Sequence, residues 1–254
     1  MSTETAPTLD VDGRIATIAL QNPERSNRLS PDDLATLRRL LDAVNASEDV
    51  LVLRITSRGK YFCSGYDISS LASSEAPSSL YFGETIDQVE AARPVTIAAV
   101  HGGAYGGGTD LALACDFRIG SPGANMFMPA ARLGLRFYPG GLRRYVSRLG
   151  VNNAKRLFLT AEKIGAQEML DVGFLTELVA PDALQARVDE LSQALAHMAP
   201  LALLGIKRDL NQVINGVLDE VANAEGVRRS EASEDIREGA LAWKEKRIPQ
   251  FQGR

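Results

Sequence analysis

The sequence predicts an α/β protein, and three observations lead there. A strand-like alternation is followed by a capped amphipathic helix. Two short apolar runs each end in a glycine turn. The second half is patterned almost entirely as helix. The alternation lies in RIATIAL, Arg14 to Leu20. Ser30, Pro31 and Asp33 then supply an N-cap, a proline at the first helical position and an acid at the third, the signature of a helix start. Leu34, Leu37, Leu40, Leu41 and Val44 share one face of that helix. VLVLRI (50–55) and VTIAAV (95–100) read as buried strands. From about Asn152 the pattern is nearly all helical, through 183–198, 201–214 and 217–227, punctuated by Pro200 and Gly216. A division is expected near residue 190, with 1–190 an α/β core and 191–254 a helical region. The basic tail, Glu245 to Arg254, contains Phe251.

Composition narrows the class. A chain of 254 residues is long enough for one large domain with a full core. Hydrophobic content of 45% and charged content of 24% are those of an ordinary soluble globular protein. A net charge of -4 argues against a nucleic-acid partner, since such proteins concentrate positive charge. No apolar stretch approaches the roughly 20 residues a membrane span needs, and the acidic, polar start does not read as a signal or transit peptide. Cys63 and Cys115 show neither a disulfide framework nor zinc spacing, so a reduced cytoplasmic location and no metal site are expected.

The chemistry is expected in HGGAYGGGTD, His101 to Asp110. It holds five glycines in ten residues, directly after a buried strand and before the helical DLALA. Such a turn leaves backbone N–H groups free to hold negative charge on an oxygen, and Asp110 stands at its edge. A second glycine turn, in KYFCSGYDI (60–68), follows the other buried strand. Together the two turns offer two N–H groups to one oxygen, the arrangement that stabilises an oxyanion. No phosphate-loop, dinucleotide or nucleophile-elbow pattern occurs. Of the two histidines, His101 is expected to satisfy a hydrogen bond and His197 to close a helix.

These residues resemble the enoyl-CoA hydratase/isomerase superfamily, the crotonases. The resemblance runs through NPERSNRLS (22–30), FCSGYDI (62–68), 93–120, PAARLGL (129–135) and 234–251. It implies a crotonase-type spiral of ββα turns, a C-terminal helical trimerisation region, homotrimers or hexamers, and acyl-CoA substrates. Coenzyme A would be part of the substrate, with no tightly bound cofactor. It assigns the oxyanion-binding N–H groups to Tyr66 and Gly107. It places the substrate and its coenzyme A portion near Arg25, Lys60, Ser64, Tyr66, Asp67, Ile68, Tyr105, Gly106, Gly107 and Pro129, with Lys246 supplied by a neighbouring subunit. The hydratases of this family hold a water between two glutamates. Here the first position is Asp110, and the second, after the proline of MFMPAARLGLRF, is Ala130. Asp110 is therefore the expected base, with Tyr138 as a second catalytic group and Arg136 nearby. Isomerisation or hydration of an enoyl-CoA is the leading reaction. Decarboxylation of a malonyl-type thioester and acyl-CoA binding without turnover are the alternatives.

Overall fold

The computed structural model describes residues 5–67 and 78–254. Strands β1 (Thr8–Asp12) and β2 (Ile15–Leu20) form an antiparallel hairpin. Helix α1 (Pro31–Ala46) begins as the sequence predicts. The Ser30 hydroxyl accepts the Asp33 N–H at 3.2 Å, and the Asp33 carboxylate accepts the Ser30 N–H at 2.9 Å. This reciprocal cap satisfies two of the amides that a helix start leaves without partners. Leu34, Leu37, Leu41 and Val44 are buried, as their spacing requires, while Leu40 is half-buried.

Three strand–strand–helix turns follow. The first is β3 (Val52–Ser57), β4 (Tyr61–Cys63) and α2 (Ser79–Glu90). The second is β5 (Val95–Val100), β6 (Gly103–Tyr105) and α3 (Gly107–Ala114). The third is β7 (Phe117–Gly120), β8 (Asn125–Phe127) and α4 (Pro139–Thr160), the last broken at Gly150. In each turn the first strand joins a six-stranded sheet, of order β1-β2-β3-β5-β7 with Glu177–Leu178 at its edge, and the second joins a four-stranded sheet, of order β4-β6-β8 with Lys163–Gly165 at its edge. The successive turns pair in parallel, so the chain advances as a spiral. The two glycine turns lie where the first and second spiral turns leave their second strands, at Gly65 after β4 and at Gly106 between β6 and α3.

The second half is less purely helical than its pattern predicts. Strands β9 (Lys163–Gly165) and β10 (Glu177–Leu178) complete the edges of the two sheets. At three and two residues they are too short to show a period. Around them run α5 (Ala166–Asp171), α6 (Leu184–Ala196), α7 (Pro200–Asn215), α8 (Glu220–Ala232) and α9 (Glu234–Glu245). The division expected near residue 190 falls inside α6. Leu184 and Val188 of that helix pack with Ile15, Val52, Ile97 and Ile119 of the main sheet. The larger core gathers the apolar faces of α1, α2 and α3, with Leu37, Phe82, Ile86 and Leu111 buried among the strand residues. No helix among the described residues is long and apolar enough to cross a membrane.

Replacing Ser30 with Ala removes the side-chain cap of α1. It is expected to lower unfolding stability by about 1 kcal/mol in urea titration, with an unchanged denaturant slope.

Candidate active site

The two glycine turns meet. Gly106 adopts φ 50°, ψ -124°, a conformation closed to residues with a side chain, and its N–H donates to the Phe127 carbonyl at 2.8 Å. Gly107 then opens α3. At the first helical position its N–H has no acceptor within the helix. Across from it, Tyr66 bridges Leu29 in parallel: Leu29 N–H donates to the Gly65 carbonyl and Asp67 N–H to the Leu29 carbonyl. In that pattern the N–H of Tyr66 itself turns away from Leu29. The turns pack so closely that a Cβ on Gly65 would stand 2.6 Å from the Gly107 nitrogen.

Beside them lies a cavity of about 350 Å³. Ser64, Tyr66, Tyr105, Gly106, Gly107, Pro129, Ala130, Arg136 and Tyr138 line it, which brings most of the sequence-predicted residues to one place. Phe82, Phe127, Met128, Leu135 and Phe137 make its wall apolar, and Arg28 joins it. Other expected residues lie elsewhere. Arg25 is exposed in a short turn of 3-10 helix, and Lys60 is exposed over the Tyr61 ring. Asp67 lies 3.3 Å from Arg28 in an ion pair. Lys246 is at the end of α9, and Ile68 lies outside the described residues. His101 Nε2 meets the Gly59 carbonyl at 2.8 Å, and His197 Nδ1 meets the Gln193 carbonyl at 2.6 Å, so both imidazoles are bonded to main-chain carbonyls.

Asp110 does not line the cavity wall. It is fully buried beneath it, with Arg144 gripping it from both sides: Nε to Oδ1 at 2.8 Å and Nη2 to Oδ2 at 2.7 Å. The sequence expectation had Asp110 facing substrate. The aspartate side chain is short, and a two-armed guanidinium on α4 draws it inward. Asp110 reaches the cavity through Tyr138, whose hydroxyl donates to Oδ2 at 2.6 Å. No carboxylate lines the cavity among the described residues.

The family profile described as enoyl-CoA hydratase/isomerase matches residues 10–254. The chain belongs to the enoyl-CoA hydratase/isomerase family. It is 30% identical to a short-chain-enoyl-CoA hydratase of Clostridium acetobutylicum, covering 94% of each chain. It is 31% identical to a crotonyl-CoA hydratase of Syntrophomonas wolfei, covering 96% of each. Among solved structures it is similar to an enoyl-CoA hydratase from Bacillus anthracis, with TM-score 0.87 and 28% identity over 98% of this chain and 99% of that one. The spiral fold is thus that of the enoyl-CoA hydratase/isomerase family.

Within this family member, Ala130 occupies the cavity wall where the resemblance implies a second acid. The hydroxyl on the wall that is wired to a carboxylate belongs to Tyr138. Burial first, and then the charge and hydrogen bond of Asp110, push the Tyr138 phenol well above its ordinary pKa of 10, with Arg144 opposing. Tyr138 is therefore protonated at neutral pH. Its ring stacks on Phe137 at 4.3 Å and lies against Gly83 of α2. Sequence reasoning missed Arg144. A signal was present: it shares a helix stripe with buried Gly141, Tyr145 and Leu149, where an arginine needs a carboxylate partner.

A Cβ on Gly83 would stand 2.6 Å from the Tyr138 ring at Cγ and Cδ2, atoms too near the backbone to move aside. Gly83→Ala is expected to leave the protein folded by circular dichroism and to displace Tyr138, lowering turnover by at least roughly tenfold if Tyr138 handles the proton.

Proposed function

We propose that this protein is an enzyme acting on acyl-CoA thioesters through an enolate, with isomerisation or hydration of an enoyl-CoA as its reaction. One observation carries the reading: a single apolar cavity joins the turns of Tyr66 and Gly107 to a hydroxyl backed by a buried carboxylate. The thioester oxygen would accept the N–H groups of Tyr66 and Gly107. Preorganised donors of this kind stabilise a developing oxyanion by several kcal/mol, and the positive end of α3 adds to them.

Proton transfer then runs through Tyr138. In the isomerisation of a 3-enoyl-CoA, Oη takes the C2 proton while the Tyr138 proton passes to Asp110 Oδ2. The C2–H electrons move into the enolate. The relay then runs backward and delivers the proton to C4, leaving the double bond conjugated and Asp110 ionised. Arg25, Lys60 and Lys246 of a neighbouring copy are the proposed partners of the coenzyme A phosphates. A second reading is decarboxylation of a malonyl-type thioester. The absence of a carboxylate from the described cavity wall favours it, because loss of carbon dioxide makes the enolate without a base.

Apolar side chains on the last three helices, including Leu210, Val213, Val221 and the 88% exposed Trp243, support assembly as a homotrimer or a hexamer. Light scattering should give three or six times the 27.4 kDa chain mass. Two free, buried thiols fit a reducing, cytoplasmic location.

Incubation with 2-enoyl-, 3-enoyl- and malonyl-type thioesters, followed by mass spectrometry, tests the reaction. Conversion of an enoyl-CoA is expected, with Tyr138→Phe slower by roughly 10²-fold. Conversion of the malonyl type alone would establish the second reading. Tight binding with no turnover of any thioester would overturn both in favour of a non-catalytic acyl-CoA-binding protein.

A further inference from the structure

Arg144 is fully out of solvent, and each of its three guanidinium nitrogens is bonded. Nε and Nη2 hold Asp110 of α3, while Nη1 reaches Asp87 Oδ1 at 2.6 Å and Glu90 Oε2 at 3.1 Å on α2. Asp110 Oδ2 accepts from Arg144 and Tyr138 together. The groups facing this cluster are Asp110 from α3, Asp87 and Glu90 from α2, and Arg144 and Tyr145 from α4. Arg143 and Arg148 of α4 also pair with Glu90, at 2.7 and 3.6 Å. Burial alone would lower the basicity of the Arg144 guanidinium. Its bonds and charge interactions with Asp110, Glu90 and Asp87 prevail and raise it, so it is always a cation.

The direction of the Tyr138–Asp110 hydrogen bond depends on that cation. A carboxylate buried without a counter-charge takes up a proton far above its usual range. A protonated carboxyl would give its proton to the phenol oxygen and turn the Tyr138 hydroxyl hydrogen outward. The oxygen could then no longer take a proton from a substrate while passing its own inward.

We propose that Arg144 is a positioning residue whose two-armed grip keeps Asp110 an ionised acceptor and so fixes the inward direction of the Tyr138 proton relay. This rests on the reading that Tyr138 handles the substrate proton. A lysine would retain charge but not the fork that holds both carboxylate oxygens.

The test uses 3-hexenoyl-CoA in D₂O, with deuterium uptake at C2 and isomerisation followed by mass spectrometry across about pH 6 to 9. Wild-type protein should show a flat profile. Arg144→Met should bind the thioester with little change yet acquire an acid limb, its rate falling roughly tenfold or more toward pH 6. A folded Arg144→Met whose profile parallels wild type would overturn the proposal. Should Arg144→Met fail to fold, Arg144→Lys decides. The proposal expects kcat to fall at least roughly tenfold with KM within about threefold, and an unchanged kcat overturns it. Tyr138→Phe separates the two claims. If it turns over like wild type, the relay reading fails and this inference falls with it. If it is impaired while the Arg144 variants behave like wild type, only the inference about Arg144 fails.

Discussion

A buried arginine and a buried aspartate, joined by two hydrogen bonds of 2.7 and 2.8 Å, hold the site together. Taking both charges out of water is costly, and the fork geometry offsets that cost only because the remaining donors are also used. Arg144 does this by spending its third nitrogen on Asp87 and Glu90, so one guanidinium links α2, α3 and α4. Those helices carry much of what surrounds the cavity: Phe82 on α2, Gly107 on α3, and Tyr138 at the cap of α4. Breaking such a pair by removing one partner costs roughly 3–5 kcal/mol, because the other charge is left buried and alone.

That constraint divides the labour of the site. In the proposed mechanism the backbone supplies the anion-holding groups, through two glycine turns packed so tightly that a Cβ on Gly65 would stand 2.6 Å from the Gly107 nitrogen. The proposed proton path is made of side chains, with Tyr138 on the wall and Asp110 one layer behind it. The carboxylate is removed from the cavity and represented there by a phenol, on a wall that is largely apolar. In the proposed reaction a wall of this kind would exclude water from the reacting carbon, which strengthens every electrostatic interaction that remains.

Much of this fold was legible in the sequence, because local chemistry dictated it. The Ser30–Asp33 cap, the strand expected at 50–55 and found at 52–57, the strand at 95–100, and the two glycine turns each follow from a handful of neighbouring residues. The short strands β9 and β10 were not legible, since two or three residues carry no period. The positions of Tyr66, Tyr105, Gly107, Pro129 and Tyr138 on one cavity were anticipated from the family resemblance. The retreat of Asp110 was not, because it depends on Arg144, 34 residues along the chain. The sequence shows Arg143, Arg144 and Arg148 as similar basic residues. The stripe of Gly141, Tyr145 and Leu149 points to burial at Arg144, but the carboxylate it meets is set by how α4 packs on α3.

The cavity meets a Tyr138 whose hydroxyl donates to Asp110 and is held protonated by burial and by that carboxylate. Carbon-13 NMR of protein labelled at the tyrosine ring Cζ reports it directly, with the Tyr138 signal assigned from its loss in Tyr138→Phe. A signal that stays at the phenol position past about pH 10 is the predicted result. Ionisation of Tyr138 at or below neutral pH would contradict it.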